Sequence, residues 1–303
     1  MKKKIVVLMS AYNGEEYIHE QIESILAQEG SFEMKLWVRD DGSQDRTVEI
    51  LQEYEKKQQL ILVRGENLKS AKSFLQLLKV CEEGDYYAFA DQDDYWFPNK
   101  LEKAIEMLGT EEKPQIYFSN AELVDSKLQG LNRVVYRREP AADLYTVMCA
   151  PNVLGCTMVY NHEAAKLIRK KAMPKTVSMH DSYLAGVCMA VGGKIIYHEW
   201  ISMKYRQHDR NVIGIKHNYT AIIRQRLKEI FTEADIGIDQ QAGEILKNYA
   251  EIIPAENKGF IERVENYKKS ILSRLALACS RKPKYITKNM AFTIRMSIFF
   301  GNR

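Results

Sequence analysis

No stretch of the chain approaches the roughly 18 consecutive apolar residues that a membrane-spanning helix requires, so no span is expected. The opening Met1-Lys2-Lys3-Lys4 followed by Ile5-Val6-Val7-Leu8-Met9 has the look of a signal peptide, but Ser10, Asn13, Glu15 and Glu16 end the apolar run too soon. It reads instead as a first strand. The five cysteines, Cys81, Cys149, Cys156, Cys188 and Cys279, are odd in number and lack metal-type spacing, which argues against a disulfide framework and against a thiolate zinc site. They read as reduced core thiols of a cytoplasmic protein. Glycine is sparse after the first strand, where Ser10-Ala11-Tyr12-Asn13-Gly14 offers one and not the several of a phosphate-cradling loop. No internal repeat or low-complexity segment is present.

What is there is the composition of a globular protein, with 46% hydrophobic and 28% charged residues in 303, enough for one large core or two smaller ones. The net charge of +4 conceals an asymmetry. Residues 260–303 hold ten Lys or Arg against two Glu, a net of +8, which leaves the remainder at −4. A basic tail with interleaved apolar residues on an acidic body suits an anionic membrane surface, a nucleic acid or a solvated helix pair.

Through about residue 120 strand-like and helix-like segments alternate: Ile5 to Met9 then Glu15 to Gln28, Lys35 to Arg39 then Arg46 to Lys57, Leu60 to Arg64 then Ser70 to Cys81, and Tyr86 to Ala90 then Asn99 to Leu108. The alternation predicts an α/β fold with a mostly parallel sheet flanked by helices, and ligands at the C-terminal strand ends. Those ends carry polar clusters: Ser10-Ala11-Tyr12-Asn13, Asp40-Asp41-Gly42-Ser43 and Asp91-Gln92-Asp93-Asp94. A strand is expected over Gln115 to Val124 and a returning one over Gly155 to Tyr160, then helices over His162 to Lys171 and Asp181 to Val191, and strand again over Lys194 to Tyr205. After Gly214 the periodicity becomes helical: Tyr219 to Phe231, Gln240 to Ile252, Lys258 to Cys279 and Tyr285 to Phe300. A boundary near residue 215 divides 1–214 from a C-terminal helical region, 215–303.

The residues at the strand ends suggest chemistry of their own. Asp91 and Asp93, one residue apart after a buried strand, can hold a hard divalent cation through oxygen and leave positions for substrate phosphates; a solvated turn explains the same pair. Tyr12 can stack on a planar base, and Asp41 can accept a hydrogen bond from an imide nitrogen. A pyrimidine nucleotide satisfies both. Gly42, Ser43 and Asp45 fit local turn and helix-cap roles.

Ser10-Ala-Tyr-Asn-Gly-Glu15, Arg39-Asp-Asp-Gly-Ser-Gln-Asp-Arg-Thr47 and Asp91-Gln-Asp93, in this order and spacing, resemble the inverting family 2 glycosyltransferases of GT-A fold. The resemblance covers roughly residues 1–214. It implies a Rossmann-like catalytic domain and a nucleotide site made by Ala11, Tyr12, Asn13, Glu15, Asp40, Asp41, Lys72, Asp91 and Gln92. It also implies Mg²⁺ or Mn²⁺ on the donor diphosphate, held by Asp91 and Asp93, with Asp93 preferred as direct ligand. The general base in such a family lies at the start of a helix, and the matching residue is Asp181 in His180-Asp181-Ser182-Tyr183-Leu184. His180 stands where many members carry a second acid. Tyr205-Arg206-Gln207-His208, with Asn211 and Gly214, resembles a motif of the rhamnosyltransferase-like branch, in which His208 would complete metal or diphosphate binding and Arg206 would neutralise phosphate. Trp96 reads either as an acceptor-sugar platform or as core. The loop Asn67-Leu68-Lys69-Ser70 lacks a glycine common after the asparagine in the family.

The resemblance thus implies a sugar transferred from a dTDP-L-rhamnose or UDP-sugar donor onto a growing cell-surface or lipid-linked glycan. The C-terminal Met290 to Phe300, apolar all round with cations nearby, fits a bilayer interface carrying the acceptor or packing in a homodimer. The expected location is the cytoplasm, with the inner face of the cell membrane as one place of work. A nucleotidyltransferase and a catalytically silent scaffold of a glycan-assembly complex are the alternatives; nucleic acid is disfavoured by the acidic body and the lack of a recognised binding module.

Overall fold

The computed structural model describes residues 2–110, 112–208 and 219–303. By contact the chain forms two units: residues 1–137, 154–173 and 194–209 make the first, and 138–153, 174–193 and 210–303 the second. The expected boundary near residue 215, with Asn211 and Gly214, lies outside the described residues.

The first unit is built on one sheet. Its strands are β1 (Lys3–Ala11), β2 (Phe32–Asp40), β3 (Ile61–Arg64), β4 (Tyr86–Ala90), β5 (Tyr95–Trp96), β6 (Gln115–Val124), β7 (Gly130–Val134), β8 (Val159–Asn161) and β9 (Lys194–Arg206). They lie in the order β3-β2-β1-β4-β8-β6-β9-β5, with β7 on β6. The run β3-β2-β1-β4 is parallel throughout, as the strand–helix alternation predicts, because each return passes through a covering helix. These helices are α1 (Ile18–Leu26), α2 (Thr47–Lys56) and α3 (Lys69–Val80), with α4 (Lys100–Leu108) following β5. Beyond β4 the sheet becomes mixed: β8 is antiparallel to both β4 and β6, and β9 is parallel to β6.

The strands form where the sequence is continuously apolar, since strands covered on both faces need no polar alternation. Ile5 to Met9 of β1 and all five residues of β4 are buried. Gly155 to Thr157 forms a single 3₁₀ turn in place of the expected strand start, and the strand itself begins at Val159. Two pairings fix where the functional loops emerge. Ala11 is opposite Asp40 and Met9 opposite Ala90, so the ends of β1, β2 and β4 open on one edge. The 13-residue β9 pairs Val124 with Arg206, which brings its last residue to the same region.

The second unit is helical: α5 (Leu144–Cys149), α7 (His180–Ala190), α8 (Tyr219–Phe231), α9 (Ile238–Tyr249), α10 (Ala255–Glu265), α11 (Ile271–Ala278) and α12 (Lys288–Phe300), while α6 (His162–Arg169) belongs to the first unit. The single helix expected over Lys258 to Cys279 is divided. Its break is a side-chain cap: Ser270 leaves helical geometry and its Oγ accepts from the Ser273 amide at 3.1 Å, starting α11 anew. Thr287 starts α12 in the same way, accepting from Met290 N at 3.1 Å. No helix among the described residues is long and apolar enough to cross a membrane.

Candidate active site

The loops after β1 and β2 interlock through side chain to backbone bonds. Asn13 adopts a left-handed backbone, φ +48°, which asparagine tolerates better than most residues. Its amide donates to Ser43 Oγ at 3.0 Å, and its Oδ1 accepts from Gln44 N at 2.8 Å. Glu15 bonds the 45–46 segment in both directions: Asp45 Oδ2 accepts from Glu15 N at 3.1 Å, and Glu15 Oε2 accepts from Arg46 N at 2.9 Å. The Gly14 amide donates to Thr47 Oγ1 at 2.8 Å. Asn13 and Glu15 thus spend their side chains on holding two loops in register, and Ala11 is buried in the sheet.

Gln92 ties the third loop to the first. Its Oε1 accepts from Tyr12 N at 2.9 Å and its Nε2 donates to Tyr12 O at 3.1 Å, so one carboxamide clamps both backbone groups of Tyr12. This requires glycine at position 14, because a Cβ there would overlap the Gln92 side chain, 2.5 Å from its Cδ. With the backbone held, the Tyr12 side chain remains 44% exposed. A fixed, exposed ring at the sheet edge is suited to stacking.

Asp40 and Asp41 are both buried. Asp40 accepts from the amides of Gly42 and Ser43, at 3.1 Å (Gly42) and 3.2 Å (Ser43), and so shapes the turn. Asp41 Oδ1 pairs with the Arg39 guanidinium and accepts from Leu68 N at 2.9 Å. Arg39 also donates to Ser73 Oγ at 3.0 Å and Glu66 O at 2.9 Å, and Ser73 meets Ser10 Oγ at 2.6 Å, which joins β1, β2 and α3. Where the family's glycine is absent, Lys69 itself takes the left-handed backbone, φ +64°. Lys72 lies in the first turn of α3, half-buried.

The acidic loop is anchored from β9. Arg206 is fully buried, and its amide donates to Asp94 Oδ1 at 3.1 Å while Nε donates to Asp93 O at 2.6 Å. Its two remaining nitrogens bond Ser126 O and the Glu20 carboxylate, and its Cζ lies 4.5 Å from the Tyr17 ring centroid. This corrects the expectation that Arg206 neutralises a diphosphate: its guanidinium holds the acidic loop in place. His208, two residues on, does face the acids, with Nε2 2.7 Å from Asp93 Oδ2 and its ring stacked on Tyr17 at 4.9 Å.

Beneath the loop lies a buried polar cluster that the sequence did not disclose. Asp94 has no exposed surface, and burial first, then the Asp93 and Asp91 charges, push its carboxyl well above the usual carboxylate range. Carboxyl oxygens of Asp91 and Asp94 and the Cys156 sulfur all lie within 4.8 Å of one another, a grouping that includes neither Asp93 nor His208. Burial holds the Cys156 thiol protonated. Lys100, also wholly buried, donates to Cys156 O at 3.0 Å and sits 4.5 Å above the Trp96 ring, with its ammonium pushed down to about 8 chiefly by burial. Trp96 is 1% exposed, because Tyr95–Trp96 pairs with β9 and the Trp96 amide donates to Ser24 Oγ at 3.0 Å. It is core, and the sugar-platform expectation is corrected.

The donor set fits a hard divalent cation. Three acids, Asp91, Asp93 and Asp94, share one loop, and an oxygen-bound cation would offset the repulsion among them. Asp91, Asp93 and His208 supply the ligand types such an ion takes, whereas a buried, protonated thiol does not.

In the second unit α7 begins at His180 with Met179 as its N-cap, so Asp181 is not the cap. Asp181 lies in the first turn, nearly buried, and its Oδ1 accepts from Ser182 N at 2.6 Å. The helix N-terminus favours the anionic carboxylate there. His180, which stands where many members carry a second acid, is buried and pushed down to about 3 by that burial, so it is neutral.

Comparison with known proteins bears on the whole arrangement. The chain is 27% identical over 231 residues to a dTDP-rhamnosyl transferase, RfbG, of Shigella flexneri, covering 70% of this chain and 76% of that one. Among solved structures it superposes on residues 1–349 of S. aureus TarS in complex with UDP, with a TM-score of 0.55 at 17% identity, covering 99% of this chain and 89% of that one. It also superposes on a mannosyltransferase of Pyrobaculum calidifontis in complex with GDP-Man and Mn²⁺, with a TM-score of 0.55 at 16% identity over 98% and 74% of the two chains. The model of "Glycosyl transferase family 2" matches residues 6–172, more than half of the chain, and the protein belongs to that family of glycosyltransferases.

Proposed function

We propose that the protein transfers a sugar, with inversion, from a dTDP- or UDP-linked donor to a growing cell-surface or lipid-linked glycan. The observation that carries this reading is the pairing of Asp93 with His208 beside an exposed, backbone-clamped Tyr12 at one edge of the parallel sheet. Tyr12 stacks on the pyrimidine, and Asp41, whose protein bonds run through Oδ1, accepts from the base imide. Asp91, Asp93 and His208 would hold Mg²⁺ or Mn²⁺, which would supply positive charge to the donor diphosphate and to the departing nucleotide. The Mn²⁺ complex of the mannosyltransferase supports the cofactor, and the name of RfbG supports dTDP-L-rhamnose as donor. Lys72 adds a positive charge for phosphate.

Asp181 accepts the proton of the acceptor hydroxyl as it attacks the anomeric carbon. A carboxylate serves as base because the hydroxyl becomes acidic only as the new bond forms, so placement outweighs resting basicity. The basic, apolar C-terminal helices contact the membrane surface that presents a lipid-linked acceptor. The test is nucleotide release from dTDP-L-rhamnose and from UDP-sugars, with and without Mn²⁺. Metal-dependent release that disappears in Asp93→Ala supports the reading; release that persists there removes the metal assignment.

A further inference from the structure

The helices α11 and α12 of the second unit present an exposed apolar surface. Ile271 and Leu272 are 67% and 74% exposed, Phe292 is 62% exposed, and Leu275 and Phe300 are exposed as well. Such residues occur singly on ordinary surfaces, but here Leu275 and Phe292 line a cavity of about 450 Å³ between the two helices, and Ile271 and Leu272 stand on the same helix as Leu275. The cavity is lined by the apolar side chains of Leu275, Ala278, Phe292, Met296 and Phe299, and by two cations, Lys288 and Arg295. The spacing 288, 292, 295 and 299 places both cations and both phenylalanines on one face of α12.

Neither cation has a carboxylate partner among the described residues; Arg295 donates only to Ser280 O at 3.3 Å and lies 5.9 Å from the Tyr285 ring centroid. The surrounding chain carries the same sign, since residues 260–303 have a net charge of +8. An apolar slot with positive charge in its lining, set in a basic field and next to protruding aliphatic side chains, matches one chemistry: an acyl chain attached to an anionic headgroup.

We propose that the α11–α12 face is a lipid-binding surface, in which the cavity receives an acyl chain of an anionic phospholipid while Lys288 and Arg295 hold its phosphate and Ile271, Leu272 and Phe292 enter the bilayer interface. This rests on the membrane-contact part of the function proposed above and gives it a site and a ligand. Charge complementarity selects a lipid over a second copy of the chain, because two copies meeting at this face would bring two net charges of +8 together.

The test is co-sedimentation of the full chain with phosphatidylcholine vesicles and with vesicles that also carry phosphatidylglycerol. The wild type is expected to partition onto the anionic vesicles and to be released by salt. Each cation at a lipid surface is worth about five-fold in partitioning, so the Lys288→Glu, Arg295→Glu double variant is expected to lose on the order of 25-fold or more. Leu272→Asp with Phe292→Asp, at exposed positions that leave the fold intact, is expected to abolish binding at any salt concentration. Calorimetric UDP or dTDP binding is measured on the same variants and stays unchanged, which separates failure here from failure of the donor assignment. Equal partitioning of wild type and variants, or wild-type binding to neither vesicle, would overturn the proposal, as would a wild-type dimer that the Leu272→Asp, Phe292→Asp pair dissociates without any vesicle binding.

Discussion

Substituting Gly14 by Ala tests whether the Gln92 clamp is what fixes Tyr12. The backbone at position 14 is not left-handed, so alanine suffers no conformational penalty there, and the nearest atoms a Cβ meets all belong to the Gln92 carboxamide. Gln92 must therefore swing away and give up both bonds to the Tyr12 backbone, at 2.9 and 3.1 Å. At about 1 kcal/mol per hydrogen bond the loss is ~2 kcal/mol of stability, and a base platform left unfixed loses on the order of ten-fold in nucleotide affinity. Gln92→Ala removes the same two bonds directly and is expected to cost a similar amount. In the Gln92→Ala background, Gly14→Ala then has nothing left to displace, so the double variant should resemble Gln92→Ala alone, with a coupling energy of ~2 kcal/mol. Urea unfolding gives the stabilities and calorimetry with UDP or dTDP gives the affinities. Additive losses would refute the clamp, because they would mean that Gly14 and Gln92 act on different things.

Burial of neutral His180, pushed down to about 3, means the unfolded chain binds a proton that the folded chain refuses. Stability is therefore expected to fall by about 1.4 kcal/mol per pH unit as pH drops from about 6.5 towards 3, a slope that His180→Phe should reduce in acid-unfolding titrations. Lys100, pushed down to about 8, works at the other end: its contribution rises as pH climbs from about 8 to 10.5, by up to ~3 kcal/mol, and Lys100→Met should flatten that rise. Asp181→Asn is expected to lower turnover by at least about 100-fold with donor affinity retained, measured by steady-state kinetics beside calorimetry; an equal loss of donor binding contradicts the base assignment.

The parallel core was legible because each of its strands is an apolar run that ends abruptly in a polar cluster. Tyr86 to Ala90 followed by Asp91 is the clearest case, and the strand ends at Asp40 and Ala11 follow from the same logic. What escaped were roles set by partners far away in the chain. Arg206 resembles a phosphate ligand until Glu20, 186 residues earlier, and Ser126 claim its nitrogens. Trp96 resembles a surface platform until a two-residue strand folds it under β9. Asp94 was visible as a third acid in the run, but that it is the buried one, over Lys100 and Cys156, depends on packing of the acidic loop against the 3₁₀ turn at Gly155–Thr157 and α4 that no local pattern encodes. The division of Lys258 to Cys279 at Ser270 had a local signal, a serine able to cap, which the surrounding helical periodicity outweighed.

The most direct test of the account is calorimetric titration of UDP, dTDP, GDP and CMP into the protein with Mn²⁺, repeated with chelator. The account predicts binding of UDP or dTDP in preference to GDP and CMP, lost when the metal is removed and lost in Asp93→Ala. Indifference to the base, or affinity that survives chelation unchanged, would contradict the assignment of Tyr12 and Asp41 to the base and of Asp91, Asp93 and His208 to the metal.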